Sequence, residues 1–235
     1  SFCKSTNEFT SEDTPVLLAS KGFSNDGKVL ALALSENLSK YHIGVISGPS
    51  FAGEVMNKKP TALLVSGKDL VVKLASDVLH SQQLRIYGSN DVIGASIAGA
   101  MKNVIAIACG ISSGLNLGEN ARAALLTRGL AETVKLTLAL GGKIETIFGL
   151  AGIGDMALSS FSSTSRNFSW GNDFSKNQNS KNVLVEGLNA AKQAHIIAQQ
   201  HNIEMPITEL VARITDTRID LIKEKNKLIE RPQIF

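Results

Sequence analysis

Apolar residues in the first ninety positions cluster in short runs separated by polar, glycine-containing breaks. Residues 15–19 (PVLLA) run into the polar SKG, and residues 43–46 (IGVI) close on SGPS. Residues 61–65 (TALLV) and 84–87 (LRIY) form two more such runs. Short apolar runs of this kind predict β-strands covered on both faces. Between them, residues 28–40 and 67–80 space their apolar positions as helices do. This strand–helix alternation predicts an α/β layer.

Beyond residue 90 the pattern changes. Segments 91–115, 120–139, 150–161, 186–203 and 206–225 are long and rich in small and apolar residues, and Pro206 stands where a helix can begin. One weak strand-like run, ETIFGL at 145–150, interrupts them. The Asn-, Ser- and Lys-rich stretch 172–182 predicts a mobile loop. The expected architecture is an α/β part over residues 1–90 followed by an all-α part over residues 91–235, with no internal repeat.

The 235 residues are 43% hydrophobic and 19% charged, with 20 Gly and 5 Pro. That mixture excludes disordered, collagen-like and mucin-like chains. The two cysteines, Cys3 and Cys109, supply no disulfide framework. None of His42, His80, His195 and His201 has another histidine three or four residues away, which argues against a zinc site. A formal net charge of +3, with signs mixed along the chain, gives no reason to expect a nucleic-acid surface. Residues 92–118 carry Lys102 as their single charge. A lysine at a bilayer centre costs about 2.5–3.5 kcal/mol, so a buried helix of a soluble protein is expected there. The opening SFCKSTNEF has no initiator Met and no signal or transit layout, and reads as the middle of a longer protein.

The candidate chemistry lies in charges set among apolar residues and glycines. Lys102 is the sole charged residue between Asp91 and Glu119, and its helical neighbours would be Ala98, Gly99, Ile105 and Ala106. An ammonium on such a face is desolvated and its pKa falls, which suits an acid or base. Alternatively its stem lies along the apolar surface and the charge reaches water. Asp155 is the only charge between Ile147 and Ser165; it either finds a cationic partner or caps a helix. SGPSFAGE (47–54) follows a strand and opens a helix, where backbone N–H groups can hold an anion and Gly48 permits close approach. Arg166 of SRN (165–167) is a forked donor suited to phosphate, or an ordinary loop arginine. Lys21 ends the first strand, where α/β proteins place ligand contacts, or is a solvated loop lysine. Gly110, Gly114 and Gly118 mark close helix packing or a turn; they follow a helix rather than a strand and so form no dinucleotide turn. Together these groups suit a small phosphorylated substrate with a polarised oxygen. They do not choose between reduction, isomerisation and aldol chemistry.

Several blocks occur in a specific order: ASKG (19–22), SGPSFAGE (47–54), GAMKNVIAIACGISSGLNLGENARAALLTRGLAE (99–132), FGLAGIGD (148–155), SRN (165–167), VEG (185–187) and MPIT (205–208). In this order, from about residue 14 to about residue 212, the chain resembles the NAD(P)-dependent glycerol-3-phosphate dehydrogenases of the bacterial type. The resemblance implies that residues 1–90 are the C-terminal part of a Rossmann-like dinucleotide-binding domain and residues 91–235 a helical substrate domain. It implies cytoplasmic reduction of dihydroxyacetone phosphate to sn-glycerol 3-phosphate with NADH or NADPH, for phospholipid synthesis. By position, Lys102 would be the catalytic acid/base and Asp155 its partner. Lys21, Gly48 and Ser50 would line the substrate site, with Ser165, Arg166 and Asn167 at the phosphate end. Lys21, Ala52, Arg166, Leu184 and Glu186 would contact the cofactor. The implied partner is a small phosphorylated molecule, with no metal, nucleic acid or membrane span, and a homodimer is compatible with the resemblance.

Two departures from the family pattern stand out. Ser159 occupies a position that is usually Thr, with the hydroxyl retained. No G-x-G-x-x-G occurs in the chain, so roughly 80–90 residues carrying the pyrophosphate turn are expected to be missing from this sequence. The chain would then be part of a longer protein or a truncated product, expected to bind cofactor weakly alone. The residue that reads the ribose 2′ position would lie in that missing part, which leaves NADH and NADPH undistinguished. The competing expectation is an inactive remnant serving at most as a binding or interaction domain. A related β-hydroxyacid dehydrogenase is disfavoured by the SRN and SGPSFA blocks.

Overall fold

The structure, a computed structural model, describes residues 14–24, 26–38, 41–177, 185–214 and 220–224. Strands β1 (Pro15–Leu18), β2 (His42–Ser47), β3 (Thr61–Ser66) and β4 (Leu84–Ser89) form one sheet in the order β1-β2-β3-β4. Helix α1 (Leu30–Asn37) joins β1 to β2 and helix α3 (Asp69–Leu79) joins β3 to β4. Both of those strand pairs are parallel, as helical crossovers require. Strands β2 and β3 are antiparallel, which suits a connection holding only the five-residue helix α2 (Ala52–Met56). Two glycines let α3 lie close on the sheet: a Cβ on Gly44 would come within 2.6 Å of Val71, and one on Gly88 within 2.6 Å of Val72. Strand β4 departs from the expected two-sided burial. Its side chains alternate between half-buried and exposed, the pattern of a strand with one wet face.

The rest of the described chain is helical: α4 (Val92–Gly114), α5 (Glu119–Ala139), α6 (Ile144–Ile147), α7 (Asp155–Phe161), α8 (Arg166–Asn177), α9 (Glu186–Gln200) and α10 (Pro206–Arg213). Helix α4 is the axis of the molecule. Eighteen of its 23 residues are buried, under α5, α7, α8 and α9. It is long and apolar enough to cross a membrane, yet 83% of its apolar window is buried inside the protein. Its start is fixed by Asp91, one of whose carboxylate oxygens accepts the Gly94 N–H at 2.8 Å and the other the Lys143 N–H at 2.9 Å.

Three elements differ from the sequence expectation. The strand-like ETIFGL contributes to α6 and the turns after it: Ile147 is buried in a cluster with Ala98 of α4, against Leu130 and Val134 of α5 and Leu64 of β3, while Phe148 is exposed. The predicted helix 150–161 is a π-helical turn (Leu150–Gly154) followed by α7. Residues 172–177, expected in a loop, are the last turns of α8, where Trp170 stacks on Phe174 with ring centroids 4.9 Å apart. Tertiary packing there overrides a polar composition. The predicted helix 206–225 is described to Arg213 and again as helix over 221–224.

Candidate active site

Lys102 lies midway along α4 with 13% of its side chain exposed. Asp155 opens α7 directly after the π-helical turn, and 2% of its side chain is exposed. That turn exists because Gly152 carries no Cβ; one there would collide with the backbone of Ile147. The tight return drives the Asp155 carboxylate toward α4. Its Oδ1 accepts from Lys102 Nζ at 2.5 Å and its Oδ2 from Lys21 Nζ at 2.8 Å. Asp155 is therefore no helix cap: both its oxygens are bound to ammonium groups. Lys21, placed just after β1, reaches the pair from the sheet side with 21% of its side chain exposed. It is not a solvated loop lysine.

Burial pushes the Lys102 ammonium down from its ordinary 10.5 to about 8. The Asp155 charge works in the opposite direction, and the Lys21 ammonium adds to the lowering. A group poised there exchanges protons readily near neutral pH.

Above these three side chains opens a cleft of about 620 Å³, within the usual range for a small-molecule site. The sheet side supplies residues 19–21 after β1 and residues 50–53 around the start of α2; the helical side supplies Lys102, Asn103, Ser159, residues 164–167 and Glu186. Ser50, Ala52, Ser165, Arg166 and Asn167 thus share one cavity with Lys21 and Lys102. Ser165 Oγ accepts the Phe168 N–H at 3.4 Å and so caps α8. Arg166, at the first position of α8, is 80% exposed and lies 3.4 Å from Glu186 Oε1. Gly48 is buried in the turn after β2 with φ of +141°, against the β3 backbone, and does not line the cleft. Its carbonyl accepts from Ser50 Oγ at 3.1 Å. Leu184 lies outside the described residues. Lys21, Lys102 and Arg166 against Asp155 and Glu186 leave one net positive charge, which favours an anionic ligand.

Asn103 was not among the candidates from the sequence. It is 5% exposed, its Oδ1 accepts from Asn167 Nδ2 at 2.9 Å, and its Nδ2 lies 3.3 Å from Glu186 Oε2. Asn167 Oδ1 in turn accepts the Gly187 N–H at 3.1 Å. This chain of amides ties α4, α8 and α9 together beneath the cleft. The available signal was a polar amide beside Lys102 in an otherwise apolar helix. A second cavity, of about 150 Å³ between α4, α5 and α10, is apolar and lined by none of the candidate residues.

Comparison with known proteins identifies the family of the chain. Residues 91–224 match the family model for the NAD-dependent glycerol-3-phosphate dehydrogenase C-terminus and residues 1–72 that for its N-terminus. The match extends further in both directions than the blocks quoted above. A protein of Sinorhizobium fredii named glycerol-3-phosphate dehydrogenase (NAD(P)+) is 41% identical over 225 residues, covering 94% of this chain and 68% of the relative. One of Agrobacterium fabrum with the same name is 39% identical over 229 residues, covering 95% and 70%. The crystal structure of glycerol-3-phosphate dehydrogenase from Coxiella burnetii superposes with a TM-score of 0.91 at 36% identity, over 98% of this chain and 73% of that one. The class these matches define is that of the nicotinamide-dependent oxidoreductases. Within it, the chain belongs to the NAD-dependent glycerol-3-phosphate dehydrogenase family.

Proposed function

We propose that this protein reduces dihydroxyacetone phosphate to sn-glycerol 3-phosphate with NADH or NADPH, in the cytoplasm, supplying backbone for phospholipids. The names of the relatives support the reaction. The observation that carries the mechanism is the desolvated Lys102 ammonium, held 2.5 Å from Asp155 at the floor of a cleft that also holds Arg166. The break between the two family-model matches, after residue 72 and before residue 91, supports dividing the chain near residue 90 into a cofactor part and a substrate part.

The residues present fit the reacting end of the cofactor. Lys21, Ala52, Arg166 and Glu186 line the cleft, and the exposed guanidinium and carboxylate at its mouth offer donors and acceptors to a polar ring or ribose. The Gly-rich turn that holds a pyrophosphate has no counterpart in this sequence. When bound, the reduced nicotinamide supplies a hydride to the central carbon of the substrate. Charge then develops on the carbonyl oxygen, and the Lys102 ammonium stabilises it and donates the proton. In the reverse direction the neutral amine accepts that proton. Asp155 orients Lys102 and offsets its charge, while Arg166 and the adjacent Ser165 and Asn167 hold the phosphate so that the carbonyl meets Lys102.

The test is spectrophotometric. Purified full-length protein should consume NAD(P)H only when dihydroxyacetone phosphate is added, and no substrate-dependent loss of nicotinamide absorbance would refute the reaction. Lys102→Ala should lower kcat by about 10²–10⁴-fold with an unchanged far-UV spectrum. Near-normal turnover in that variant would remove Lys102 from the chemistry.

A further inference from the structure

Lys21 approaches Asp155 along the surface of α4, and the residue beneath its stem is Gly99. Gly99 is a buried interior position of α4, three residues before Lys102. Its φ is not positive, so the backbone there does not require glycine, and alanine is the better helix former at such a position. What glycine provides is space. A Cβ on Gly99 would sit 3.2 Å from Lys21 Cγ, 3.4 Å from Lys21 Cδ and 3.4 Å from Ser47 Oγ. Carbon atoms in favourable contact lie about 3.5–4.0 Å apart. The Lys21 stem is not free to slide away. It is anchored at one end after β1 and pinned at the other by the 2.8 Å bond to Asp155, with buried Ser47 on the flank.

We propose that Gly99 is a positioning residue: its missing side chain forms the floor that lets Lys21 cross α4 and share the Asp155 carboxylate with Lys102. This rests on the reading of Lys21 and Lys102 as the cations of the reaction site. A methyl group at residue 99 lifts the middle of the Lys21 stem and draws its ammonium away from Asp155, while leaving the helix intact. Two consequences follow at Lys102. Asp155 is no longer shared, and the like charge of Lys21 no longer opposes protonation of Lys102. The other charged groups lining the same cleft, Arg166 at the start of α8 and Glu186 at the start of α9, are untouched by the change.

A double-mutant cycle on the full-length protein tests the assignment. Gly99→Ala in the native background should lower kcat/KM for dihydroxyacetone phosphate roughly ten- to a hundredfold, with the helical far-UV signal of the parent retained. In the Lys21→Ala background, where no stem crosses residue 99, the same change should have no further effect. An equal loss in both backgrounds, or unfolding in both, shows that Gly99 serves helix packing, and the proposal falls. A second readout needs no turnover: the pH dependence of Lys102 acylation by acetic anhydride, followed by peptide mass spectrometry. Gly99→Ala should move the Lys102 titration upward toward the ordinary lysine range, and an unmoved titration overturns the proposal. A parent protein without dehydrogenase activity would refute the reaction assigned above while leaving this labelling result decisive for Gly99.

Discussion

Asp155 has 2% of its side chain exposed and gives one oxygen to each of two ammonium groups, so its charge governs both lysines. Removing it without removing them leaves two like charges facing each other beneath the cleft. Asp155→Asn should therefore destabilise the fold by about 3–5 kcal/mol, the usual cost of breaking a buried ion pair, measurable by urea denaturation. The same substitution removes the interaction that raises the Lys102 pKa. The alkaline limb of the reduction rate should then move to lower pH; a limb that stays in place would show that Asp155 does not set the protonation of Lys102. At this scale the sequence carried much of the site. A lone lysine and a lone aspartate in apolar surroundings were visible as residues needing partners. The family resemblance paired Lys102 with Asp155, which their spacing alone did not; that Lys21 joins them was not readable, since 134 residues separate Lys21 from Asp155. Asn103 was not legible because a single buried amide looks like any polar residue until its two partners, Asn167 and Glu186, are placed.

Helices α4 and α8 approach through glycines on both sides. A Cβ on Gly110 would collide with the Phe168 carbonyl, one on Gly114 with Ser175 and the Asn172 carbonyl, and one on Gly171 with the Ile107 carbonyl. This contact sets the distance from Lys102 on α4 to Arg166 and Asn167 on α8. Gly110→Ala should cost about 1–3 kcal/mol through overpacking and should raise KM for the phosphorylated substrate more than it lowers kcat. An unchanged KM would mean that α8 adjusts without moving Arg166 and Asn167. The close packing was legible in the spacing of Gly110 and Gly114, whereas its partner was not. The Asn- and Ser-rich run reads as a loop because helix propensity there is poor, and the packing of Trp170 and Phe174 decides the matter instead. ETIFGL misled for the converse reason: a short apolar run fits a strand and a buried helical turn equally well.

At the scale of the whole molecule, burial of Lys102 carries a cost felt in stability, as does burial of Glu132, which pushes that carboxyl up. Lys102 releases its proton at about 8 when folded and near 10.5 when unfolded. Between those values the unfolded chain binds more protons, so the stability contributed by this group rises with pH across that window and is lowest below pH 8. Urea midpoints measured at several pH values should show this rise in the parent and lack it in Lys102→Met. The same slope in both would mean that Lys102 is not desolvated in the folded state. The two-part plan, an α/β sheet followed by helices around α4, follows from the change of apolar period near residue 90. The direction of β3 was not fixed by that period, which reports burial and not strand pairing. The cleft exists because the parts meet over α4, with Lys21 from one and Asp155 from the other closing on Lys102.

The most direct measurement is the pH dependence of kcat/KM for dihydroxyacetone phosphate reduction by the full-length protein, from pH 7 to pH 10. With Lys102 as proton donor, the rate should fall as pH rises through about 8, and the residual activity of Lys102→Ala should lack that limb. A parent profile that stays flat across this range, or a limb that survives in Lys102→Ala, would contradict the role given to the buried ammonium.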